Sequence, residues 1–312
     1  MCKCLYCYRP LLPGEVDFHA KCAKKFWGTS KAPELNFSLE ELDNLASQVI
    51  LEQTSLTGVQ PKLSLHLQEH EGSQRLTIVG LWGDFIMKPQ TQAFAQLPEV
   101  EDLTMHLAEK AKIAVVPHSL MKMKDGSICY ITRRIDRDAK GGKIVMEDFC
   151  QLGERLTEYK YRSSYEKIGK DIRRFSSVPQ LDVVTFFEIV FFSWLTGNND
   201  MHLKNFSLYA PDGSNFVLTP AYDLLNAAIV NPADSEELAL TLNGRKRKLN
   251  KGDFEVAADT MGMQPKIVSL LMKKYSKLFP AFCDIIDTSF LSKELKENFK
   301  TLLSERLSRL RL

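Results

Sequence analysis

The sequence predicts an α+β chain in two parts, β-rich first and mainly helical second. Three observations predict it. Residues 63–88 hold short apolar–polar alternations separated by glycine-containing turns, the pattern of half-buried strands. The run Val183–Leu195 is almost wholly apolar, too short to span a bilayer and interrupted by Glu188, so it reads as a buried helix. After Asp136 the pattern stays helical to the end, broken only by a hairpin signal after Asn205 and by irregular strands expected around 235–249.

Composition narrows the class. A chain of 312 residues suits two ordinary domains or one bilobed protein, and 44% hydrophobic residues allow a sizeable core. Lys plus Arg number 41 against 39 Asp plus Glu, a net charge of +2. That near-neutrality supplies no global field for nucleic acid or membrane. The N-terminus carries no apolar h-region, so the expected location is cytoplasmic. The expected organisation is a cysteine-containing segment over 1–34, a β-rich lobe over 35–132 and a helical lobe over 133–312.

The first element is a cysteine cluster. Of seven cysteines, Cys4-x-x-Cys7 and His19-x-x-Cys22 form two chelating pairs around a turn-rich stretch. Each two-residue spacer lets both ligands wrap one ion, so the four are a candidate tetrahedral Zn2+ set. The competing reading is a tail of reduced thiols docked through the aromatic-rich stretch Phe18–Trp27. Cys129, Cys150 and Cys283 stand apart and read as ordinary thiols.

Residues 28–45 read as a connector leading to a short helix near Leu39–Val49. Ser55-Leu-Thr-Gly-Val-Gln-Pro-Lys62 is a polar turn just before a strand. Its single glycine, Gly58, permits close backbone approach to an anion, and Lys62 adds positive charge. An ordinary β-turn with a solvated lysine is the bland alternative. Strands are expected at Leu63–Gln68, Arg75–Val79, Phe85–Lys88 and Ser127–Thr132, and a helix over 99–112. Lys88 ends an apolar strand, where an ammonium needs partners. Phosphate oxygens would serve, with Glu99 or, preferred, Glu101 as the carboxylate partner. Snorkelling to the strand edge is the alternative.

Asp200-Met-His-Leu-Lys-Asn205 follows the apolar helix. An Asp followed five positions later by an Asn is how a protein kinase places its catalytic base and one magnesium ligand. Two short strands around Pro211-Asp-Gly-Ser then deliver Asp223, where a kinase needs a second metal-binding carboxylate. A β-rich first part joined to a helical second part near Thr132–Arg137 is the bilobed protein-kinase-like plan. His202 and Lys204 would steady the loop or the transferring phosphate, with a structural role the competing reading for His202.

Together Ser55–Lys62, Phe85-Ile-Met-Lys88-Pro, Arg134-Ile-Asp-Arg137, Glu147-Asp-Phe-Cys-Gln151, Gly197-Asn-Asn-Asp-Met-His-Leu-Lys-Asn205 and Pro220-Ala-Tyr-Asp223 resemble the HipA family of serine/threonine kinase toxins over roughly residues 35–310. The resemblance implies Asp200 as catalytic base, Asn205 and Asp223 as Mg2+ ligands and Lys88 on the ATP phosphates. It places Thr57, Gly58, Val59, Gln60 and Lys62 over the nucleotide, His202 beside it, and Arg133, Arg134 and Ile135 at a hinge meeting adenine. It implies autophosphorylation at Ser55 and Thr57. The segment before the phosphate loop is short, which resembles the HipT form. That form implies a separate HipS-like protein and a DNA-binding HipB-like antitoxin as partners, with an aminoacyl-tRNA synthetase as the phosphorylated substrate. Direct nucleic-acid or membrane binding by this chain is not expected.

Two other functions compete. Small-molecule kinases use a similar Asp–Asn–Asp set. A non-catalytic module of a repressor complex would use Arg245-Lys-Arg-Lys248 on DNA phosphates. That run follows Asn243-Gly244, a hairpin-turn signal, so a solvated turn is the reading it competes with.

Overall fold

The computed structural model describes residues 2–42, 62–70, 73–79, 83–138 and 141–310 of the chain. The chain divides into two compact units. One comprises Met1–Asp102, Val116–Arg137 and Thr288–Phe290; the other comprises Leu103–Val115, Asp138–Asp287 and Leu291–Leu312.

The first unit is built on a five-stranded antiparallel sheet. Its strands are β1 (Leu63–His70), β2 (Ser73–Val79), β3 (Phe85–Pro89), β4 (His118–Lys122) and β5 (Ile128–Arg133), in the order β2-β1-β3-β5-β4. Leu65 stands opposite Ile78 on one side and Phe85 on the other, and Lys88 stands opposite Tyr130. Leu65, Leu76, Met87, Leu120 and Ile131 are fully buried, so one register satisfies both the ladder and the core. Helix α1 (Ala20–Trp27) sets Phe26 and Trp27 against Phe85, with ring centroids 5.9 and 5.3 Å away. Such aromatic contacts add specific geometry to a large buried area.

Strand β4 escaped the sequence reading because His118 to Met121 are all buried, which removes the alternation that marks a half-exposed strand. Helix α2 (Leu97–Lys110) starts and stops two residues earlier than expected. Its end is a left-handed turn at Lys112, φ 64°, with the Lys112 and Ile113 amides donating to the Glu109 and Ala108 carbonyls at 2.9 and 3.0 Å. A lysine in place of the usual glycine gave no stop signal. The expected helix near Leu39–Val49 falls largely on residues outside those described.

In the second unit lie α3 (Tyr165–Phe175), α4 (Pro179–Thr196), the short α5 (Ala227–Val230), α6 (Lys251–Thr260), α7 (Lys266–Thr288) and α8 (Lys293–Arg309). A small sheet orders β6 (Met146–Asp148), β7 (Ser207–Tyr209) and β8 (Val217–Leu218) as β6-β7-β8. Helix α4 is the spine: Phe186, Phe187, Val190, Phe191, Phe192 and Trp194 are all fully buried. Its one charge in the apolar run, Glu188, receives the Lys274 ammonium at 2.5 Å and the Tyr275 hydroxyl at 3.0 Å. Among the described residues no helix is long and apolar enough to cross a membrane.

The expected hairpin after Asn205 is present as β7 and β8. Its turn is closed by the Asp212 carboxylate, which accepts the Ser214 and Asn215 amides at 3.0 and 2.8 Å. The irregular strands expected at 235–249 do not form. That segment makes only isolated bridges, Ser164 to Thr241 and Leu242 to Arg245, the latter around Asn243 and Gly244 at φ 48° and 72°. Carboxylates replace a ladder there: Glu237 accepts the Leu249 amide at 3.1 Å and the Trp194 indole at 3.0 Å.

Candidate active site

In the first unit, β3 carries Lys88 into the core with 4% exposure. Its Nζ lies 2.5 Å from Glu101 Oε1 on α2, with side chains 5% and 1% exposed. The ammonium also sits 5.4 Å from the Tyr130 ring centre on the neighbouring strand. Of the two expected partners the structure selects Glu101; burial instead pushes the Glu99 carboxyl up. An ion pair this dry is held by geometry, because each charge alone would be costly.

The helix bearing Glu101 is anchored one residue further on. Asp102 accepts the Tyr8 hydroxyl at 2.6 Å and pairs with His118 Nδ1 at 2.7 Å. Lys62 is exposed at the head of β1. The candidate residues Ser55, Thr57, Gly58, Val59 and Gln60 lie outside the described residues. Arg133 donates to the Phe26 carbonyl at 2.6 Å, and Arg134 forms a two-pronged pair with Asp136 at 2.8 and 2.6 Å. Both guanidiniums are thus committed to local contacts, with Ile135 between Arg134 and Asp136.

In the second unit, Gly197 ends α4 in the left-handed region at φ 79°, and the Asn198 amide reaches back to the Ser193 carbonyl at 2.8 Å. A side chain at Gly197 would stand 2.5 Å from Asn226 Oδ1, so the loop can start here only on a glycine. In the loop that follows, Asp200 is exposed while Met201, His202 and Leu203 are buried. Tyr165 donates to the Met201 carbonyl at 2.9 Å, the Phe149 amide to the Leu203 carbonyl at 3.1 Å, and Lys204 pairs with Asp148 at 2.6 Å. Asn205 Nδ2 donates to the Asp200 carbonyl at 3.0 Å, closing the loop on itself. The Asp200 carboxylate receives the Tyr161 hydroxyl at 2.6 Å.

Asp223 is bound to the same loop. Tyr222 bridges Ser207 Oγ at 2.6 Å and the Lys204 carbonyl at 3.1 Å, and Asn198 Nδ2 donates to the Asp223 carbonyl at 3.4 Å. Asp223 itself has φ 56°, a conformation that costs about 1 kcal/mol for a residue with a Cβ and collects at functional positions. His202 lies among these groups, 6% exposed, its Nδ1 without a hydrogen-bond partner among the described residues. Burial pulls its pKa down to about 4, against the opposing pull of the Asp200 and Asp223 carboxylates. The imidazole is therefore neutral at pH 7, and one ring feels both carboxylates.

Asp200, His202, Asn205 and Asp223 are thus gathered in the second unit, and Lys88 with Glu101 in the first. Sequence reasoning missed Tyr161, Asn198, Asp148 and Tyr222. Tyr161 lies far from the loop in the chain and no local pattern marks it; Asn198, two positions before Asp200, and Tyr222, next to Asp223, were within reach. At the N-terminus, ligand atoms of Cys4, Cys7, His19 and Cys22 all lie within 4.8 Å of one another.

Residues 54–281 match the HipA-like C-terminal domain family. Among curated relatives, "Putative kinase Y4dM" of Sinorhizobium fredii is 30% identical over 231 residues, 69% of this chain and 55% of the relative. "Putative kinase Y4mE" of the same organism is 34% identical over 200 residues, 61% of this chain and 46% of the relative. This chain therefore spans about half the length of those proteins. Among solved structures, HipA in the Shewanella oneidensis complex of HipA, HipB and operator DNA aligns at TM-score 0.71 and 20% identity, covering 89% of this chain and 72% of that one. The Helicobacter pylori proinflammatory kinase CtkA aligns at TM-score 0.53 and 16% identity, over 80% of this chain and 93% of that one. The shared α+β, protein-kinase-like architecture is what these two likenesses establish. The family match across residues 54–281 covers well over half of the 312 residues, and the chain belongs to the HipA-like C-terminal domain family.

Proposed function

We propose that this protein is an ATP-dependent serine/threonine protein kinase that acts as the toxin of a toxin–antitoxin set. The observation that supports the reading best is the cluster in the second unit. Asp200 is held by Tyr161 at 2.6 Å on a loop closed by Asn205, and shares the His202 ring with Asp223. Asp200 accepts the proton of the attacked hydroxyl, and Tyr161 orients that carboxylate. Neutral His202 adds no charge that would compete for the carboxylates.

The donors fit Mg2+. Asp223 offers a carboxylate and Asn205 an amide oxygen, both hard ligands, while Asn205 Nδ2 is engaged with the Asp200 carbonyl. Bound there, Mg2+ would offset charge on the ATP phosphates. Lys88, held by Glu101, is the cation for those phosphates, and Thr57, Gly58, Val59, Gln60 and Lys62 are the further nucleotide-binding residues of this reading. With both hinge guanidiniums engaged elsewhere, the 133–135 segment meets adenine through its backbone and Ile135. Ser55 and Thr57 are the autophosphorylation sites: a phosphate there brings about −1.5 to −2 charges beside the nucleotide and lowers its affinity.

The partners in this reading are a HipB-like DNA-binding antitoxin, as in the Shewanella oneidensis complex, and a small HipS-like protein. The substrate is a protein hydroxyl on an aminoacyl-tRNA synthetase, and the location is cytoplasmic. The test is transfer of labelled γ-phosphate in cell extract. Wild type should label itself and one further protein band; Asp200→Asn should label neither and remain folded; Ser55→Ala with Thr57→Ala should lose only self-labelling. Label on a small metabolite, or undiminished transfer by Asp200→Asn, refutes the reading.

A further inference from the structure

The N-terminal segment has a job that phosphotransfer does not explain. Residues 4–8 turn sharply, with the Tyr8 amide on the Cys4 carbonyl at 2.9 Å and Tyr8 at φ 63°. That turn brings Cys4 and Cys7 to one side. His19 is the N-cap of α1 and Cys22 lies three residues on, so both sit on one face of the helix start. Cys7 Sγ and Cys22 Sγ lie 3.4 and 3.7 Å from His19 Nδ1. Tetrahedral zinc with bonds of about 2.3 Å to sulfur and about 2.0 Å to nitrogen requires sulfur–nitrogen separations of roughly 3.5 Å. The other ring nitrogen, His19 Nε2, bonds the Pro10 carbonyl at 3.0 Å. That contact makes Nε2 the protonated nitrogen and turns the Nδ1 lone pair toward the thiols, the outer support that metal-bound histidines need. Three thiols and an imidazole around one point cannot all be used by a disulfide.

What this knuckle touches gives it a consequence. Tyr8, next to Cys7, donates to Asp102 at 2.6 Å, and Asp102 follows Glu101, the partner of Lys88. Phe26 and Trp27, at the far end of the helix begun by His19, pack on Phe85, the first residue of the strand that carries Lys88. Lys3 donates to the Thr288 and Ser289 carbonyls at 2.8 and 2.7 Å.

We propose that Cys4, Cys7, Cys22 and His19 Nδ1 bind one Zn2+ tetrahedrally, and that the ion clamps the N-terminal knuckle onto the Glu101 end of α2 and the Phe85 end of β3. Binding converts three thiols to thiolates and releases three protons to solvent, leaving a closed site of net charge −1 with no position for water. The ion is structural, and its loss loosens the surroundings of the Lys88–Glu101 pair without touching either residue.

The test uses the full chain purified without chelator and needs no nucleotide. Elemental analysis should find one zinc per chain. Exchange into Co2+ should give thiolate-to-cobalt charge transfer and the strong visible bands of tetrahedral cobalt. Cys2→Ser, a change at an exposed thiol outside the set, should keep full metal content, and Cys22→Ser should lose it. Chelating wild-type protein should raise amide exchange at least tenfold over residues 85–89 and 97–102 and leave 183–195 unchanged. Zinc-free protein with no tetrahedral cobalt spectrum overturns the site, whether or not Cys22→Ser folds. Full zinc in a Cys7→Ser, Cys22→Ser double variant overturns the ligand set. Bound zinc whose removal leaves exchange at 85–102 unaltered overturns the clamp.

Discussion

Replacing Glu101 by Gln keeps the shape of the side chain and one acceptor oxygen but removes the charge that faces Lys88 at 2.5 Å. Both side chains are nearly dry, 5% and 1% exposed, so water cannot take over the role of the carboxylate. Breaking a buried pair by neutralising one partner costs about 3–5 kcal/mol, because the surviving charge keeps its desolvation penalty. With a urea m-value near 2 kcal/mol/M, that lowers the unfolding midpoint by about 2 M. The assay is urea unfolding followed by far-ultraviolet circular dichroism. A companion variant separates stability from function. Lys88→Met with Glu101→Leu removes both charges and fills the space with apolar atoms, which restores stability to within about 1 kcal/mol of wild type. In the proposed reading the double variant also loses the midpoint increase that ATP gives wild type by binding the folded state. Glu101→Gln unfolding within about 1 kcal/mol of wild type would refute the reasoning. A double variant still stabilised by ATP would refute the phosphate role of Lys88.

Two further changes follow from the second unit. Gly197→Ala puts a Cβ at φ 79° and 2.5 Å from Asn226 Oδ1, so it should destabilise by about 2 kcal/mol or more and shift the thermal midpoint down; an unchanged midpoint would mean the loop starts elsewhere. His202, lowered to about 4 by burial, should make the protein acid-sensitive. Its pKa in the unfolded chain is near 6.5, so the unfolded state binds the extra proton between these values. The contribution is intact above pH ~6.5 and is lost as pH falls toward ~4. His202→Gln should flatten the pH dependence of the urea midpoint in that window; an identical slope refutes the assignment.

How much could be read from the chain alone depended on how local the physics is. Strand β3 was legible because three apolar residues led to one charge, and Glu101 because a carboxylate opened the next helix. The Asp200–Asn205 loop and the hairpin after it were legible because turn chemistry is written in neighbouring residues. Tyr161 was not: its bond to Asp200 spans 39 positions. The zinc-type cluster could be suspected from spacing, but the Tyr8–Asp102–His118 chain that ties it to α2 joins distant segments. The segment 235–249 misled for a definite reason. Leu238, Leu240 and Leu242 alternate like a strand and are indeed buried, but so is Ala239 between them, and the segment makes isolated bridges and scattered backbone bonds in place of a partner strand. Periodicity reports burial on one face; it does not report what satisfies the amides.

The final helix bears on where the chain tolerates shortening and on nonsense mutations. Arg309 pairs with the same Glu237 that receives the Trp194 indole and the Leu249 amide, and Arg306 donates to the Trp194 carbonyl from a nearly dry site. Trp194 lies three residues before the glycine that launches the Asp200 loop. Deleting the last turn of α8 would thus unseat a carboxylate, an indole and a helix terminus together, and the damage would be felt first at the start of the Asp200 loop. An affinity tag belongs at the end of the chain only if a spacer leaves both arginines in place.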